Sequence, residues 1–154
     1  MIEYRAYQPQ NLAAVMGLFR ETVHTVCCED YSQKELEAWA PDEMDEASWG
    51  TSLLRHDALT AWKDGELVGF ADLDGPEYFD RLYVSSRAQR QGVAKGLAER
   101  LEQRAKELGA KKIEVHASRT AKGFFLHRGY RLIRANQVER CGVILENFLM
   151  EKEL

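Results

Sequence analysis

The sequence lacks most features that mark a membrane, secreted or multidomain protein. Only three of its 154 residues are cysteines, and two of these, Cys27 and Cys28, are adjacent, a spacing that gives a strained disulfide. No apolar run approaches the roughly 18 to 20 residues of a membrane span, and no signal-peptide pattern, linker or repeat is present. We therefore expect one domain over residues 1–154, in the cytoplasm, with reduced thiols and no membrane contact.

Residues with metal-ligating side chains are also poorly clustered. His24, Cys27 and Cys28 could share one or two helical turns, but no second cluster with ligand spacing follows. Cysteines in such a setting more often behave as small apolar residues. We predict that the protein binds no metal.

The net charge is only −4, but it is unevenly distributed. Residues 1–86 carry a net charge of −11, whereas residues 87–112 carry +5. A basic helix can bind nucleic acid, but glutamates interrupt this one and no aromatic residues alternate with its basic ones. A small phosphorylated ligand is the better match, so nucleic acid is not expected as a partner.

The spacing of apolar residues predicts a mixed α/β chain with the order β, α, α, α, β, β, β, α, β, α, β, β. The strands are predicted at about residues 2–7, 58–62, 67–73, 78–84, 113–117, 130–138 and 143–150. The helices are predicted at about residues 12–23, 33–40, 45–55, 92–108 and 120–128. The capping box Ser32 to Glu35 starts the second helix, and Gly109 and Gly129 end the last two. This order requires at least one parallel crossover.

The most informative segment is the turn that opens the long basic helix. It reads Gln89-Arg90-Gln91-Gly92-Val93-Ala94 and follows the apolar run Leu82-Tyr83-Val84. The start of a helix leaves backbone N–H groups unpaired and carries the positive end of the helix dipole, so it can bind an anion. Gly92 allows the backbone to approach that ligand closely.

The layout and two motifs resemble the GNAT superfamily of N-acetyltransferases. Residues 89–94 match that family's diphosphate-binding signature, and residues 121–130 look like its short helix that ends in Gly and an aromatic residue. The resemblance spans nearly the whole chain. It implies a mixed, largely antiparallel sheet flanked by helices, in which a bulged strand splays from its neighbour and opens a cofactor cleft.

The resemblance also implies the chemistry. Acetyl-coenzyme A would be the co-substrate, and a primary amine of a small molecule or peptide would attack its thioester directly in a ternary complex. One strand would pair with the pantetheine amides, and the glycine turn would hold the diphosphate. The cofactor-binding residues expected are Leu82, Tyr83, Val84, Gln89, Arg90, Gln91, Gly92, Val93, Ala94, Lys95, Ser118, Phe125 and Arg128.

The groups that move protons are less well defined. An amine with a pKa near about 10 must lose a proton before it attacks. Asp80 is the first candidate base, since strand alternation would place it with Tyr78 and Leu82 on one side. His116 competes with it, and Glu77 and a water chain with no single base are further routes.

The proton donor to the departing thiolate is a separate question. In the family a tyrosine usually serves, but its position is occupied here by Phe125, which cannot donate. Tyr83, Tyr130 and Tyr31 have the right chemistry, or the thiolate leaves unaided, since a thiol with a pKa near about 8.5 is a fair leaving group.

The acidic, aromatic N-terminal half could bind a cationic amine. Tyr31, Trp39 and Tyr78 are the candidate substrate-binding residues, although helical spacing also suits Trp39 for the core. Because Phe125 replaces the usual acid, a fold that binds acyl-coenzyme A without catalysis is the alternative function. The oligomeric state, including a homodimer, stays open.

Overall fold

The computed structural model describes residues 1–154, and its helices and strands follow the predicted order. The strands are β1 (Glu3–Ala6), β2 (Asp57–Lys63), β3 (Glu66–Leu73), β4 (Tyr78–Val84), β5 (Lys112–Ser118), β6 (Arg131–Arg140) and β7 (Val143–Glu153). The helices are α1 (Leu12–Thr25), α2 (Gln33–Trp39), α3 (Glu46–Arg55), α4 (Val93–Glu107) and α5 (Lys122–His127). The prediction of a mixed α/β fold is confirmed. None of the helices has the length and apolar character needed to cross a membrane.

Local side-chain chemistry fixes the helix starts, as expected from the sequence. The Ser32 hydroxyl accepts from the Glu35 N–H at 3.2 Å, while the Glu35 carboxylate accepts from the Ser32 N–H at 2.8 Å. This reciprocal pair begins α2. Asp45 likewise caps α3 by accepting from the Ser48 N–H at 3.0 Å. Strand β7 continues beyond its predicted end at residue 150, because its last residues pair with the start of β5.

The strands form one sheet in the order β1-β2-β3-β4-β5-β7-β6. Every neighbouring pair is antiparallel except β4 and β5, which are parallel. These two strands pair only where they begin, at Tyr78 with Glu114 and at Phe79 with Val115. Beyond that point they separate, leaving a wedge-shaped gap in the middle of the sheet. The predicted splayed strand pair is therefore present.

A β-bulge at Asp80 lies where the wedge begins. On β3, Asp72 faces Arg81 and Leu73 faces Phe79, so Asp80 is the extra residue of β4. The bulge interrupts the alternation of side chains. Phe79 and Leu82 both pack into the core on the α4 side, so Asp80 and Arg81 both face the opposite side. The expectation that Leu82 would share a face with Asp80 is wrong, because that expectation assumed a regular strand.

The two faces of the sheet bury separate apolar clusters. One cluster packs α4 and α5 against the sheet through residues such as Leu97, Leu101 and Phe125. The other packs α1, α2 and α3 against the opposite face through residues such as Phe19 and Leu36. The wedge between β4 and β5 connects these two sides.

Tight packing on β1 fixes the start of α4. A Cβ atom at Gly96 would lie only 1.8 Å from the Tyr4 hydroxyl oxygen, so no larger residue fits beside that ring. The Arg100 guanidinium stacks on the Tyr4 ring at 3.7 Å, and the Tyr4 hydroxyl is 3.5 Å from the Gly92 carbonyl oxygen. The first turns of α4, and the glycine turn before them, are held against the sheet edge in this way.

Candidate functional site

A cleft of about 900 Å³ passes through the wedge between β4 and β5. Its lining includes Leu82 and Phe125 from the α4 side, and Asp80, Tyr83 and His116 from the side of α1, α2 and α3. The cleft is therefore lined by residues from both faces of the sheet. Such a passage can admit one ligand from each face and bring them together in the middle.

The predicted diphosphate turn lies between the end of β4 and the start of α4. Gly92 adopts φ of +81° as the N-cap of α4 and, like any glycine, has no side chain with which to cap the helix. Arg90 also has a positive φ, +60°. The N–H groups at the start of α4 are left without intrahelical acceptors, as at any helix start, and no capping side chain covers them. This is a backbone site for an anion.

The side chains of the two glutamines in this turn form hydrogen bonds that hold it in place. The Gln89 side chain donates to the carbonyl oxygens of Val84 at 2.7 Å and Ser85 at 3.3 Å. The Gln91 side-chain oxygen accepts from Lys63 at 2.8 Å. Their side chains hold the turn in place, and their backbones remain beside the helix start. The basic side chains of Arg90 and Lys95 lie on the surface nearby.

The free edge of β4 faces the gap, but not all of it is open. The Val84 carbonyl oxygen already accepts from Gln89 and, at 3.3 Å, from the Thr22 hydroxyl. Leu82 and Tyr83 pair with β3 on one side and have no partner on β5. The backbone of these two residues is thus the part of the edge best able to pair with an extended ligand.

Asp80 enters the cleft from the bulge and lies among charged groups. One of its carboxylate oxygens is 3.4 Å from Arg81 Nε and 3.6 Å from His56 Nδ1. Burial and the nearby Asp72 raise the pKa of Asp80 above its ordinary value, although Arg81 and His56 oppose the shift. A raised carboxyl pKa moves this group toward the range of a general base.

Tyr78 and His116 form a second polar pair on the same face. The Tyr78 hydroxyl and His116 Nδ1 lie 2.7 Å apart, in a hydrogen bond that the phenol donates when Nδ1 carries no proton. Burial, followed by the charge of Asp80, raises the pKa of Tyr78 to about 12. The structure thus brings Asp80, Tyr78 and His116 to one wall of the cleft.

Aromatic rings form the wall on the α1 and α2 side. The Tyr83 ring stacks on Phe70 at 5.6 Å and meets Phe19 edge-on at 4.9 Å, and Trp39 lies 6.3 Å from it. Burial raises the pKa of Tyr83 well above its ordinary value, so its phenol stays protonated. Trp39 was a candidate both for the substrate site and for the core. In the structure it packs on the apolar cluster and also lines the cleft.

Two other tyrosines are committed to structural hydrogen bonds. The Tyr31 hydroxyl donates to the Glu146 carbonyl oxygen at 2.9 Å and accepts from the Arg119 N–H at 2.8 Å. The Tyr130 hydroxyl donates to the buried Glu102 carboxylate at 2.8 Å. Neither phenol is free to donate a proton to a ligand.

Arg128 is also held away from the turn. Its guanidinium donates to the Glu102 carboxylate at 2.6 and 3.2 Å, and Lys152 donates to the same carboxylate at 3.0 Å. Burial alone would raise the pKa of Glu102, but its hydrogen bonds from Arg128, Lys152 and Tyr130 outweigh it and hold the pKa low. Arg128 therefore joins α5 to α4, and its side chain is not available as a cofactor ligand.

Phe125 and Ser118 lie where the wedge meets α5. The Phe125 ring is buried, with Phe79 and Tyr130 edge-on at 5.5 and 4.9 Å. The Ser118 hydroxyl accepts from the Ala121 N–H at 3.1 Å, which starts α5. Both residues line the cleft, Phe125 as an apolar wall and Ser118 as a group already bonded to backbone.

Three residues that sequence reasoning missed stand out in the structure. Asp72 is fully buried in β3 and holds both Arg81 and His56. Asn147, on β7 opposite Ser118, has a buried side-chain oxygen with no hydrogen-bond partner, and the residue lines the cleft. An aspartate within a strand buried from residue 67 to residue 73 is itself a signal, because buried carboxylates must be paired. His56 is the third residue. It lies seven residues after Trp49, on the same helical face.

The His, Cys and acidic side chains give one close group that could be considered for a metal. His56, Asp72 and Asp80 have ligand atoms within 4.8 Å of one another. However, the Arg81 Nη2 atom lies 2.6 Å from Asp72, so a positive charge already occupies this group. His24 contacts the Ala40 carbonyl oxygen, and the Cys28 thiol donates to that of Thr25, so these side chains have separate partners.

Comparison with known proteins places this geometry in a family. Residues 27–154 match the family model described as acetyltransferase (GNAT) domain. The chain is 32% identical to the uncharacterized N-acetyltransferase YafP of Escherichia coli over 149 residues, covering 97% of this chain and 94% of that protein. A GCN5-related N-acetyltransferase from Rhodopseudomonas palustris has 36% identity and a TM-score of 0.96, over 99% of this chain and 95% of the other.

More distant structures share the fold alone. The PaiA N-acetyltransferase of Thermoplasma acidophilum, solved in complex with coenzyme A, is 20% identical with a TM-score of 0.82, over 100% of this chain and 99% of the other. A phosphinothricin acetyltransferase of Sinorhizobium meliloti, solved in complex with acetyl-coenzyme A, is 17% identical with a TM-score of 0.75, over 99% of this chain and 88% of the other.

Proposed function

Because this chain belongs to the GNAT family of N-acetyltransferases, we propose that it transfers the acetyl group of acetyl-coenzyme A to a primary amine by direct attack in a ternary complex. The observation that carries the proposal is the cleft through the β4–β5 wedge. It joins the open edge of β4 to a wall that presents Asp80, Tyr78 and His116, and the glycine turn of α4 follows β4 along the chain. Two reactants could thus meet from opposite faces.

In this proposal acetyl-coenzyme A lies along the α4 side. The N–H groups from Gly92 to Lys95 would receive the diphosphate, with Arg90 and Lys95 adding positive charge. The backbone of Leu82 and Tyr83 would pair with the pantetheine amides as an added strand does. The apolar Phe125 ring would border the thioester. The coenzyme A and acetyl-coenzyme A complexes of the PaiA and phosphinothricin enzymes support this choice of co-substrate.

The amine would enter from the α1 and α2 side and lose a proton to Asp80, directly or through one water. Its nitrogen then bonds to the acetyl carbon, and the nitrogen releases its second proton to solvent. The carbon–sulfur bond breaks, so the products are the neutral amide and coenzyme A as a thiolate. Asp80 is preferred to His116 because it lies at the narrow end of the wedge with a raised pKa, whereas the Nδ1 atom of His116 is engaged by Tyr78. His116 remains the second candidate.

Tyr83 is the proposed proton donor to the thiolate. Of the three tyrosines with suitable chemistry, Tyr31 and Tyr130 are committed to Glu146 and Glu102, whereas Tyr83 lines the cleft. Burial raises its pKa, so the phenol keeps its proton at neutral pH and can hydrogen-bond to the departing sulfur. Phe125 cannot take this role.

The acceptor proposed is a small-molecule or peptide amine with an apolar portion. Trp39, Trp49 and Phe19 line its side of the cleft, and flat rings bind both apolar groups and ammonium ions. The unpartnered Asn147 oxygen would accept a hydrogen bond from an incoming N–H, because burying it without a donor costs about 1 to 3 kcal/mol. That donor would belong to pantetheine or to the amine.

A thiol-release assay with acetyl-coenzyme A and a panel of polyamines, amino acids, aminoglycosides and peptides tests the proposal. We expect thiol release that depends on one class of amine, with the acetylated amine detected by mass spectrometry. Tight binding of acetyl-coenzyme A with no release on any amine would instead favour a binding module without catalysis. The replacement of the usual tyrosine by Phe125 is the observation that favours that second function.

A further inference from the structure

Asp72 is the most deeply buried charged residue near the cleft. It has no exposed surface, and its carboxylate accepts from Arg81 Nη2 at 2.6 Å, from Arg81 Nε at 3.2 Å and from His56 Nδ1 at 2.8 Å. A buried carboxylate is expensive unless it is paired in this way. Asp72 therefore fixes the positions of one guanidinium and one imidazole.

Both of these groups also reach Asp80. Arg81 Nε lies 3.4 Å, and His56 Nδ1 3.6 Å, from the same Asp80 oxygen. Their own separation is short, with Arg81 Nη2 only 3.5 Å from His56 Nδ1. Two groups that both carry or donate protons stay this close because the Asp72 carboxylate lies between them.

Helix α3 contacts Arg81 and carries His56 at its end. The Trp49 ring lies 4.7 Å from the Arg81 guanidinium carbon, and the Ser52 hydroxyl accepts from Arg81 at 2.6 Å. His56 is the C-cap residue of the same helix. The spacing of Trp49, Ser52 and His56 puts all three on one helical face, directed at the bulge. His56 is not among the residues that line the cleft, so any effect it has on a substrate passes through another residue.

We propose that His56 and Asp72 are positioning residues for Asp80, with Asp72 holding His56 and Arg81 where their charges set the proton affinity of the base. This inference rests on the proposed role of Asp80 in the reaction. The charged neighbours of Asp80 shift its pKa in opposite directions, which supports the proposal. Asp72 raises the pKa of Asp80, whereas Arg81 and His56 lower it. A hydrogen bond with Asp72 in turn raises the pKa of His56, which extends the range over which the imidazole is positive.

The groups that face Asp80 come from several elements, and each has a defined sign. Burial is the largest cause of its raised pKa, followed by Asp72 on β3, and Asp74 after β3 adds a smaller rise. Tyr78, on the other side of the bulge, is neutral until high pH because its pKa is raised to about 12. Removal of one charged neighbour should therefore move the pKa of Asp80 in a direction fixed by that neighbour's charge.

The decisive variant is His56→Asn, which keeps a donor for Asp72 but removes the positive charge. We expect the acidic limb of the kcat profile to move up by about 1 pH unit, the low end of the effect of an opposite charge at this distance. At pH values above the shifted limb, kcat should return to the wild-type value, because Asp80 is then fully ionised. A purely structural defect would lower kcat at every pH.

Asp72→Asn should move the same limb down, since it removes a negative neighbour. Ser52→Ala is the matched control, because it removes a hydrogen bond to Arg81 without changing any charge, and it should leave the limb in place. If Asp72→Asn does not fold, His56→Asn against Ser52→Ala still decides the question. Direct NMR titration of the Asp80 carboxyl carbon provides a readout that does not need turnover.

Asp80→Asn separates the proposed role of Asp80 from the positioning role of His56 and Asp72. If that variant keeps wild-type kcat, the proposed role of Asp80 fails. If it loses activity while His56→Asn leaves both the kcat profile and the Asp80 titration unchanged, only the positioning role is overturned. A His56→Asn limb that moves up, with kcat recovered at higher pH, supports both.

Discussion

Replacing Gly92 tests the diphosphate site without touching the cleft. Gly92 has φ of +81°, and a Cβ atom built there would meet no protein atom within 4 Å. Gly92→Ala therefore introduces no clash with the protein, only the backbone strain of a left-handed alanine, about 1 to 2 kcal/mol. Gly92→Asp adds the same strain and a negative charge beside the proposed diphosphate.

The expected loss of affinity follows from the added charge. Two like charges about 5 Å apart repel by about 3 kcal/mol at an effective dielectric constant of about 20. Solvent and salt at this exposed turn reduce that to about 1 to 2 kcal/mol, which raises Kd about 5- to 30-fold. Gly92→Ala should change Kd for acetyl-coenzyme A much less, because its strain is present with and without ligand.

Gly109 supplies the matched control. It lies just after the opposite end of α4, with φ of +92° and equal free space for a Cβ atom. The helix between them is about 22 Å long, well beyond the Debye length of about 8 Å at physiological salt. Gly109→Asp should lower thermal stability more than Gly92→Asp, because a negative charge is unfavourable at the C-terminal end of a helix and favourable at its N-terminal end, but it should leave Kd unchanged in isothermal titration calorimetry. Equal Kd values for wild type and Gly92→Asp would refute the assignment of the turn.

Three further predictions concern stability and binding. Glu102→Gln should lower the free energy of unfolding by about 1 to 3 kcal/mol, since it leaves the partly buried Arg128 and Lys152 without a carboxylate partner. Because the pKa of Glu102 is lowered, wild type should lose this contribution as pH falls below about 4.3, and denaturant titrations should find no such loss in the variant. Gly96→Ala should lower the free energy of unfolding by about 1 to 3 kcal/mol, because its methyl group displaces Tyr4. In a Tyr4→Ala background the same substitution should lower it far less. If thermal denaturation shows that the effects of the two substitutions simply add, this packing is contradicted. Asn147→Leu should raise the KM of acetyl-coenzyme A or of the amine while leaving the protein as stable or more stable, whereas unchanged KM values for both would remove Asn147 from the site.

The order of elements was predictable because each depends on local signals. Apolar spacing, the capping box at Ser32 and the glycines after α4 and α5 all act over a few residues. The same holds for the glycine turn, whose position before α4 follows from residues 89–94 alone.

The arrangement of the cleft wall that presents Asp80, Tyr78 and His116 was not predictable in the same way. The bulge at Asp80 depends on how β4 registers with β3, and a regular strand would have turned Leu82 to the same side. The pairing of Asp72 with His56 joins a strand to the end of a helix, and the pairing of Glu102 with Arg128, 26 residues later, joins α4 to the end of α5. Such contacts depend on tertiary packing, which short-range patterns do not encode.

The proposed role of Asp80 is tested by steady-state thiol release from Asp80→Asn beside wild type, with an amine accepted by the wild-type enzyme. We expect a fall in kcat of about 10² to 10⁴, with Kd for acetyl-coenzyme A unchanged, because the proposed role of Asp80 is to move a proton and not to hold the cofactor. Wild-type kcat in Asp80→Asn would contradict it.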